Sequence, residues 1–362
     1  MTDTASSTSA FVARYDEKSL AAFCRKALAA AGADAPTADA ATRAMMHGSR
    51  LGIDSHGVRL LDHYVAAMEG GRVRGRPQMR YVREAGAVAT LDADAAHGAL
   101  AAYAAMDRAM AMAQRFGIGA VAIRNSSHFG AAGAFALAAA ELGHVGLAMC
   151  NSDSFVRLHG GAERFHGTNP IAVAAPVEGG RPWLLDMATS AVPYNRVLLY
   201  RSLGLSLPAE VASDASGIDI QNPDLVEMLA PLGGAFGFKG AGLAGLVEIL
   251  SAVLSGARLS FDILPMGGPD MSSARDLGAF VMALRPEAFV DRNAYEAGMR
   301  RYLAALRASR TAPDGEVLAP GDREWREEER RRTAGIPVDP ATAQAFARLA
   351  ERHGLALPAA SG

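Results

Sequence analysis

The fold of this chain is decided by residues 121–170, which read VAIRNSSHFGAAGAFALAAAELGHVGLAMCNSDSFVRLHGGAERFHGTNP. The pattern predicts a strand, a sharp loop, a helix, a second strand and a long polar loop. His128 lies between the first strand and the helix. Reacting groups of α/β proteins are commonly held where a strand meets a helix. Because imidazole changes its charge near neutral pH, His128 is the first candidate for proton transfer.

The composition predicts a globular protein and excludes several functional classes. The chain has 362 residues, half of them hydrophobic, and a formal net charge of -2, so nucleic acid is not an expected partner. Cys24 and Cys150 lack metal-ligand spacing, which predicts no metal site and favours a reducing, cytoplasmic location. The first residues, MTDTASSTSAFV, read as a polar tail and not as a signal peptide. The apolar segment 240–254 is short and contains Glu248, so no membrane span is expected.

Hydrophobic periodicity and capping residues outline the remaining elements. Helices are predicted at 18–31, 37–48, 55–69, 98–116, 131–142, 240–256, 292–309 and 340–353, and strands at 87–91, 118–123, 145–149, 171–175, 183–187 and 279–284. Segments 198–223 and 320–323 read as loops. The turn EGGR at 178–181 predicts a hairpin, so the sheet of this α/β fold is expected to be mixed and largely antiparallel. Residues 1–120 and 290–362 are expected to form a helical domain around a sheet domain at 121–289.

Two glycine-rich segments are candidates for binding phosphate. GIGAVA at 117–122 has the spacing of a dinucleotide fingerprint, but it follows a helix and precedes a strand, which is the reverse of the functional context. GGAFGFKGAG at 233–242 leads into a helix and contains Lys239. Backbone amides at a helix start, together with a lysine, suit an anion. A tight turn that allows close helix packing explains the same glycines equally well.

Other polar groups have both a functional and a structural interpretation. His56 lies beside Ser55 and Arg59 at the start of a helix, where a histidine is more often a cap or surface residue. Asp186, followed by MATS, closes a strand and suits ribose or phosphate contacts, or it caps the next element. His47, His63, His97, His144 and His353 are interpreted as structural or surface residues.

Taken together, the segments resemble the type II malate/L-lactate dehydrogenase family, which includes ureidoglycolate dehydrogenase, sulfolactate dehydrogenase, diketogulonate reductase and Δ1-piperideine-2-carboxylate reductase. The resemblance covers nearly the whole chain. It rests on several motifs in the same order: DSHG at 54–57, SHFG at 127–130, GGAE at 160–163, GTNP at 167–170, DMATS at 186–190 and GFKG at 237–240.

The resemblance implies a non-Rossmann nucleotide domain, a helical domain built from both chain ends, and a homodimer with its active site in a cleft. The implied cofactor is NAD or NADP, and the residues that match the family's cofactor positions are Ser152, Asp186, Met187, Ala188, Lys239 and Gly240, together with Gly321, Asp322 and Arg323. Its acid/base and substrate positions fall on His128 and His56, supported by Ser55, Asp153, Thr168 and Asn169. Leu60 occupies the position of a frequent family arginine, and Arg59 is offset by one residue. Phe238 replaces a frequent polar residue.

These residues suggest hydride transfer between a nicotinamide and C2 of a small 2-hydroxy or 2-oxo carboxylate. His128 is the first choice for the acid/base and His56 for a partner that polarises the substrate, and the residues also allow the two roles to be exchanged. Asp153 is the candidate for the group that orients the reacting imidazole. Arg59 is the candidate for the substrate carboxylate. An NADPH-dependent reductase of cyclic imino acids is the alternative enzyme, and a non-catalytic binding protein is the alternative class.

Overall fold

The computed structural model describes residues 13–202 and 204–361, so the predicted N-terminal tail lies outside the described residues. Strands β1–β13 are, in chain order, Ala13–Tyr15, Arg80–Ala85, Val88–Asp92, Ile118–Ser126, Val145–Cys150, Val156–Arg157, Arg164–His166, Ile171–Ala175, Trp183–Met187, Ala212–Ser213, Met228–Leu229, Leu277–Leu284 and Ile336–Val338. Helices α1–α10 are Glu17–Ala30, Ala35–Arg50, Leu61–Glu69, Gly98–Phe116, Gly133–Glu141, Tyr194–Ser202, Phe238–Glu248, Arg292–Arg307, Asp322–Ala334 and Pro340–His353.

A seven-stranded mixed sheet forms the centre of the molecule. Its strand order is β2-β3-β4-β12-β5-β8-β9, and only the β3–β4 pair is parallel. The predicted mixed sheet is therefore confirmed, and the expected hairpin joins β8 to β9. Helices α4 and α5 contribute to the hydrophobic core on one face. Val247 of α7 packs with Ala120, Met149 and Phe280 in a second cluster.

The helices at the two chain ends share another core. Leu20 and Phe23 of α1 pack with Phe346 and Leu349 of α10, and β1 pairs with β13 in an antiparallel ribbon. The division into domains stays a prediction. Two strands of the large sheet, β2 and β3, precede residue 120, so the sheet itself draws on both sides of that predicted boundary.

A smaller sheet, with strand order β10-β11-β6-β7, carries the polar loops that follow β5. Val156, Val197, Leu207 and Leu229 form its core. Val197 belongs to α6, a helix that begins just before segment 198–223, which was expected to be a loop. This expectation was wrong for residues 198–202, because α6, anchored by the buried Val197, continues through them.

Three further expectations need correction. The predicted helix 55–69 is two short 3₁₀ turns, Asp54–His56 and Val58–Leu60, followed by α3. The charged segment near residue 322 is the start of α9 and not a loop; α9 is almost wholly polar, and Arg331 is its buried residue. Strand β2 was missed, because five of its six residues are exposed and its sequence has no apolar alternation. In the part of the chain that the structure describes, no helix is long and apolar enough to cross a membrane.

Candidate active site

The structure brings His56 and His128 together. Their ring centroids lie 5.7 Å apart and the rings are inclined by 23°. His128 follows β4, and its loop is held at the start of α4, where Gly98 N–H donates to Ser127 Oγ over 3.0 Å. A Cβ on Gly98 would lie 2.1 Å from the Ser127 carbonyl oxygen, so this close approach requires glycine. His56 ends the 3₁₀ turn between α2 and α3. The two rings therefore come from separate parts of the fold, the turn between α2 and α3 and the loop after β4.

Each of the two imidazoles has a partner at Nδ1. The Tyr64 hydroxyl lies 2.8 Å from Nδ1 of His128, and the Ser55 hydroxyl lies 2.8 Å from Nδ1 of His56. Burial lowers the pKa of His56 to about 4. Burial, followed by the nearby His56, lowers the pKa of His128 well below its usual value. Both rings are consequently neutral at pH 7, as a general base must be before it accepts a proton.

Tyr64 is a site residue that the sequence did not reveal. It is 3% exposed, and burial raises the pKa of its phenol, so the hydroxyl keeps its proton. On its other side the ring packs edge to face against His97, with centroids 4.2 Å apart. His97 is itself buried, and its Nδ1 accepts the Ala99 N–H at the start of α4. Tyr64 looks like an ordinary apolar-face residue of a helix, and no neighbouring motif marks it.

Asp153 was predicted to orient a histidine, but its hydrogen bonds go elsewhere. Its carboxylate forms an ion pair with Arg275 and accepts the Met266 N–H over 3.1 Å. Arg275 is buried and also donates to the Leu264 carbonyl oxygen over 2.8 Å. The positive charge of Arg275 contributes to lowering the pKa of both His63 and His128. No sequence motif marks Arg275, since only folding brings residue 275 close to residue 128.

Ser152, a predicted cofactor residue that follows β5, is hydrogen-bonded to the predicted substrate residues Thr168 and Asn169. Ser152 Oγ accepts the Thr168 N–H over 3.2 Å, and the Ser152 N–H donates to Asn169 Oδ1 over 3.3 Å. Asn169 is fully buried, and its Nδ2 donates to Glu248 Oε2 and to the Ala244 carbonyl oxygen of α7. The Asn169 amide therefore holds the loop against α7, and its predicted substrate contact stays a prediction.

Asp186 lies at the end of β9 and contacts the start of α5. Its Oδ2 accepts the Gly133 N–H over 2.9 Å, and a Cβ on Gly133 would lie 2.7 Å from the same oxygen. Burial raises the pKa of Asp186 to about 6. Because α5 begins shortly after the His128 loop, this contact joins the strand of Asp186 to that loop. Met187 and Ala188 follow as half-buried residues.

The glycine-rich segment at 233–242 lies beside the same strand end. The Leu232 N–H donates to the Thr189 carbonyl oxygen over 2.9 Å, and Thr189 Oγ1 in turn donates to the Thr168 carbonyl oxygen. A Cβ on Gly240 would lie 2.2 Å from the Leu232 carbonyl oxygen. Lys239 is exposed at the start of α7, with Nζ 5.3 Å from the Phe236 ring centroid. An exposed lysine at a helix start fits the phosphates of a dinucleotide.

The remaining predicted site residues lie near the start of β9 or are exposed to solvent. Gly321 adopts φ 98° against Leu184, and Asp322 pairs with Arg307 at 2.6 and 3.0 Å. Arg323 is exposed beside Glu324, and Arg59 is exposed on its 3₁₀ turn. Asp322 also lines a cavity of about 620 Å³ between the β8–β9 hairpin, α8 and α9, whose lining includes neither histidine.

This chain is an oxidoreductase with a mixed α/β fold. It belongs to the malate/L-lactate dehydrogenase family, whose model matches residues 15–347, and the resemblance drawn from the motifs is confirmed. The malate dehydrogenase of Pyrococcus abyssi is 37% identical over 312 residues, covering 84% of this chain and 85% of that protein. The NAD(+)-dependent ureidoglycolate dehydrogenase of Escherichia coli is 32% identical over 295 residues, covering 81% and 83%.

Two solved structures extend the similarity to the fold. The malate dehydrogenase of Pyrococcus horikoshii superposes with a TM-score of 0.87 at 31% identity, covering 96% of this chain and 97% of that one. The Δ1-piperideine-2-carboxylate reductase of Pseudomonas syringae gives a TM-score of 0.81 at 28% identity, covering 93% and 100%. Dehydrogenases of this family typically use nicotinamide cofactors.

Proposed function

We propose that this protein transfers a hydride between NAD or NADP and C2 of a small 2-hydroxy acid, forming or consuming the 2-oxo acid. The observation that carries the proposal is the half-buried pair of His56 and His128, with both imidazoles neutral and each hydrogen-bonded at Nδ1. Oxidising an alcohol removes a hydride and a proton. The nicotinamide supplies the hydride chemistry when it is bound, and a neutral imidazole is suited to take the proton.

His128 is proposed as the acid/base group. Because Tyr64 occupies Nδ1, the opposite nitrogen, Nε2, is the one left to exchange a proton with the substrate hydroxyl. His56, with Ser55 at its Nδ1, polarises the same oxygen. Thr168 lies beside Ser152 and adds its hydroxyl to the polar side of the substrate site. For the substrate carboxylate, two cations are available: exposed Arg59, and buried Arg275, whose charge already acts on His128.

The cofactor is proposed to bind along the β9 end, at Ser152, at Asp186, Met187 and Ala188, and at Lys239 and Gly240. The hydrogen bonds through Thr168, Thr189 and Leu232 hold these segments together. Gly321, Asp322 and Arg323 are proposed to contact its more distant part. A sheet with one parallel pair is unlike the mostly parallel doubly wound fold, which supports a non-Rossmann site. In this arrangement residues 121–289 bind the cofactor, and residues 1–120 and 290–362 supply the substrate side.

The test is a matrix of NADH and NADPH against pyruvate, oxaloacetate and other small 2-oxo acids, followed by the reverse reaction with the corresponding 2-hydroxy acids. We expect turnover with at least one acid and saturable quenching of protein fluorescence by one of the two cofactors. Cofactor binding without turnover of any 2-oxo or 2-hydroxy acid would refute this substrate class.

The second candidate is a reductase of cyclic imino acids, which the structural similarity to the Pseudomonas syringae enzyme favours. A C=N carbon is reduced by the same hydride, and the nitrogen takes the proton from the same imidazole. NADPH oxidation with Δ1-piperideine-2-carboxylate or Δ1-pyrroline-2-carboxylate, but with no 2-oxo acid, would establish this alternative.

We further propose that the protein is a cytoplasmic homodimer. Cys24 and Cys150 are both free and buried, as is usual in a reducing compartment. The outer face of α7 and the π-helical turn after it (Ile249–Val253) exposes Phe238, Leu246, Ile249 and Val253. Large apolar patches on a soluble protein commonly mark an interface. Ile249→Glu should convert the protein from dimer to monomer in sedimentation velocity, whereas a dimeric Ile249→Glu variant would place the interface elsewhere.

A further inference from the structure

We infer that Arg331 is a positioning residue for His56, and that α9 thereby joins the His56 turn to the candidate cofactor residues 321–323 at its own start. This inference rests on the proposed function, in which His56 acts on the substrate. Nothing in that proposed chemistry uses Arg331 directly. It is nevertheless 5% exposed and is the buried residue of an otherwise polar helix.

Arg331 holds Asp54 with both of its terminal nitrogens. Nη1 donates to Asp54 Oδ1 over 2.5 Å and Nη2 donates to Oδ2 over 2.8 Å. Nη1 also donates to the Ser49 carbonyl oxygen over 2.6 Å, and Nε pairs with Glu327 of the same helix. Two parallel hydrogen bonds between a guanidinium and a carboxylate fix their relative orientation, which a lysine cannot reproduce.

Asp54 and Ser49 are the two residues that determine where His56 lies. Asp54 begins the 3₁₀ turn that His56 ends, and its carbonyl oxygen accepts the Gly57 N–H. Ser49 Oγ accepts the Val58 N–H over 2.9 Å on the other side of His56. A Cβ on Gly57 would lie 2.4 Å from that Ser49 oxygen, so the turn rests directly on the end of α2. By binding both residues, Arg331 fixes the turn that presents the His56 ring.

The other end of α9 is fixed to β9. Trp325 Nε1 donates to the Pro182 carbonyl oxygen over 3.0 Å, and the Pro320 carbonyl oxygen accepts the Leu184 N–H over 3.2 Å. Asp322 begins the helix nine residues before Arg331, which is about 14 Å along a straight α-helix. The residues at the start of α9 that are proposed to bind the cofactor and the turn that carries His56 are therefore attached to one helix.

The matched variants are Arg331→Lys, which keeps the charge and loses the two-pronged contact, and Asp54→Asn, which keeps the shape. Arg332→Gln is the control, because Arg332 pairs with Glu329 on the exposed side of the same helix. Turnover is normalised to the number of cofactor sites titrated by NADH or NADPH fluorescence. We expect kcat/KM for the acid to fall by up to about 100-fold in the first two variants, since small misplacements of a reacting group cost that much.

We also expect the cofactor Kd to stay within twofold of wild type and the double variant to be no worse than the poorer single variant, because both changes break one contact. A loss that disappears after normalisation would show a purely structural role and overturn the inference. The His56 ring signals in a ¹H–¹⁵N spectrum provide a readout that needs no turnover. They should shift in Arg331→Lys and stay fixed in Arg332→Gln. Unchanged His56 signals in Arg331→Lys refute the positioning role. If the wild type shows no turnover but the His56 signals still shift in Arg331→Lys, only the proposed reaction is refuted.

Discussion

The phenolic oxygen of Tyr64 lies 2.8 Å from Nδ1 of His128. Tyr64 belongs to α3, in the core shared by the terminal helices, and His128 belongs to the loop after β4, so this hydrogen bond joins that core to the large sheet. A phenol that keeps its proton can donate to a bare Nδ1 or accept from Nδ1–H. It can therefore remain bonded to the imidazole before and after the ring gains a proton.

Tyr64→Phe keeps the aromatic packing on His97 and removes only the hydroxyl. We expect kcat/KM to fall about 5-fold, because one hydrogen bond of about 1 kcal/mol no longer fixes the His128 ring. The cofactor Kd should not change. Tyr81→Phe is the control, since its hydroxyl donates to the Ala104 carbonyl oxygen away from both histidines. Equal kcat/KM values for the two variants would remove Tyr64 from the site.

His128→Ala should abolish turnover while cofactor binding survives. A positioned general base contributes about 10²- to 10⁴-fold in rate, and no other side chain in the proposed scheme takes its proton-transfer role. His353→Gln is the control, because His353 pairs with Glu69 on α3 and is not near the ring pair. Steady-state rates and fluorescence titrations measure the two effects separately. Near-normal kcat in His128→Ala would assign the proton transfer to His56.

Asp186→Asn should stabilise the protein at alkaline pH. The folded-state pKa of Asp186 is raised to about 6, above that of an unfolded aspartate. Its favourable contribution to the free energy of unfolding is therefore fully present below the unfolded pKa and is lost as the pH rises through 6. Removing the charge should raise Tm at pH 8 more than at pH 5. Cofactor affinity should fall in the same variant. A change in Tm that is independent of pH would show that the carboxylate is not desolvated as described.

Acid should destabilise the fold through two buried histidines. Burial lowers the pKa of His47 and of His97 to about 3, so the unfolded chain binds more protons below its own pKa near 6.5. The contribution of each neutral histidine to the free energy of unfolding is therefore fully present above pH 6.5, and it is lost as the pH falls toward 3. Between pH 7 and 5, each histidine accounts for about 2 kcal/mol. Urea unfolding of His47→Gln should show a correspondingly weaker pH dependence; an unchanged dependence would contradict the burial of a neutral ring.

The sequence predicted those elements that are marked by apolar periodicity and by capping residues. Helix α4 was placed at its observed bounds, and α10 begins and ends at the Asp339 cap and Gly354, as predicted. Helix α9 was missed because its sequence, DREWREEERRRTA, has no apolar stripe. Its buried face depends on an arginine whose partner, Asp54, lies far away in sequence.

The residues of the candidate site also fall into two groups, those marked by the local sequence and those brought together only by folding. His56 and His128 stood out by residue type and motif, and the structure brings their rings together. Tyr64 and Arg275 have ordinary neighbours, and their positions near His128 exist only after folding. Asp153 was assigned by analogy with other buried carboxylates, but the competing cation that takes up its charge, Arg275, is invisible to local sequence reasoning.

The pairing of β1 with β13 has a consequence for synthesis of the chain. The core that holds Leu20 and Phe23 also needs Phe346 and Leu349, so it stays incomplete until those residues have left the ribosome. At about 5–20 residues per second, the first helices wait for tens of seconds. During that interval their apolar faces are without their final partner, and exposed apolar surface of this kind is what makes nascent chains prone to aggregate.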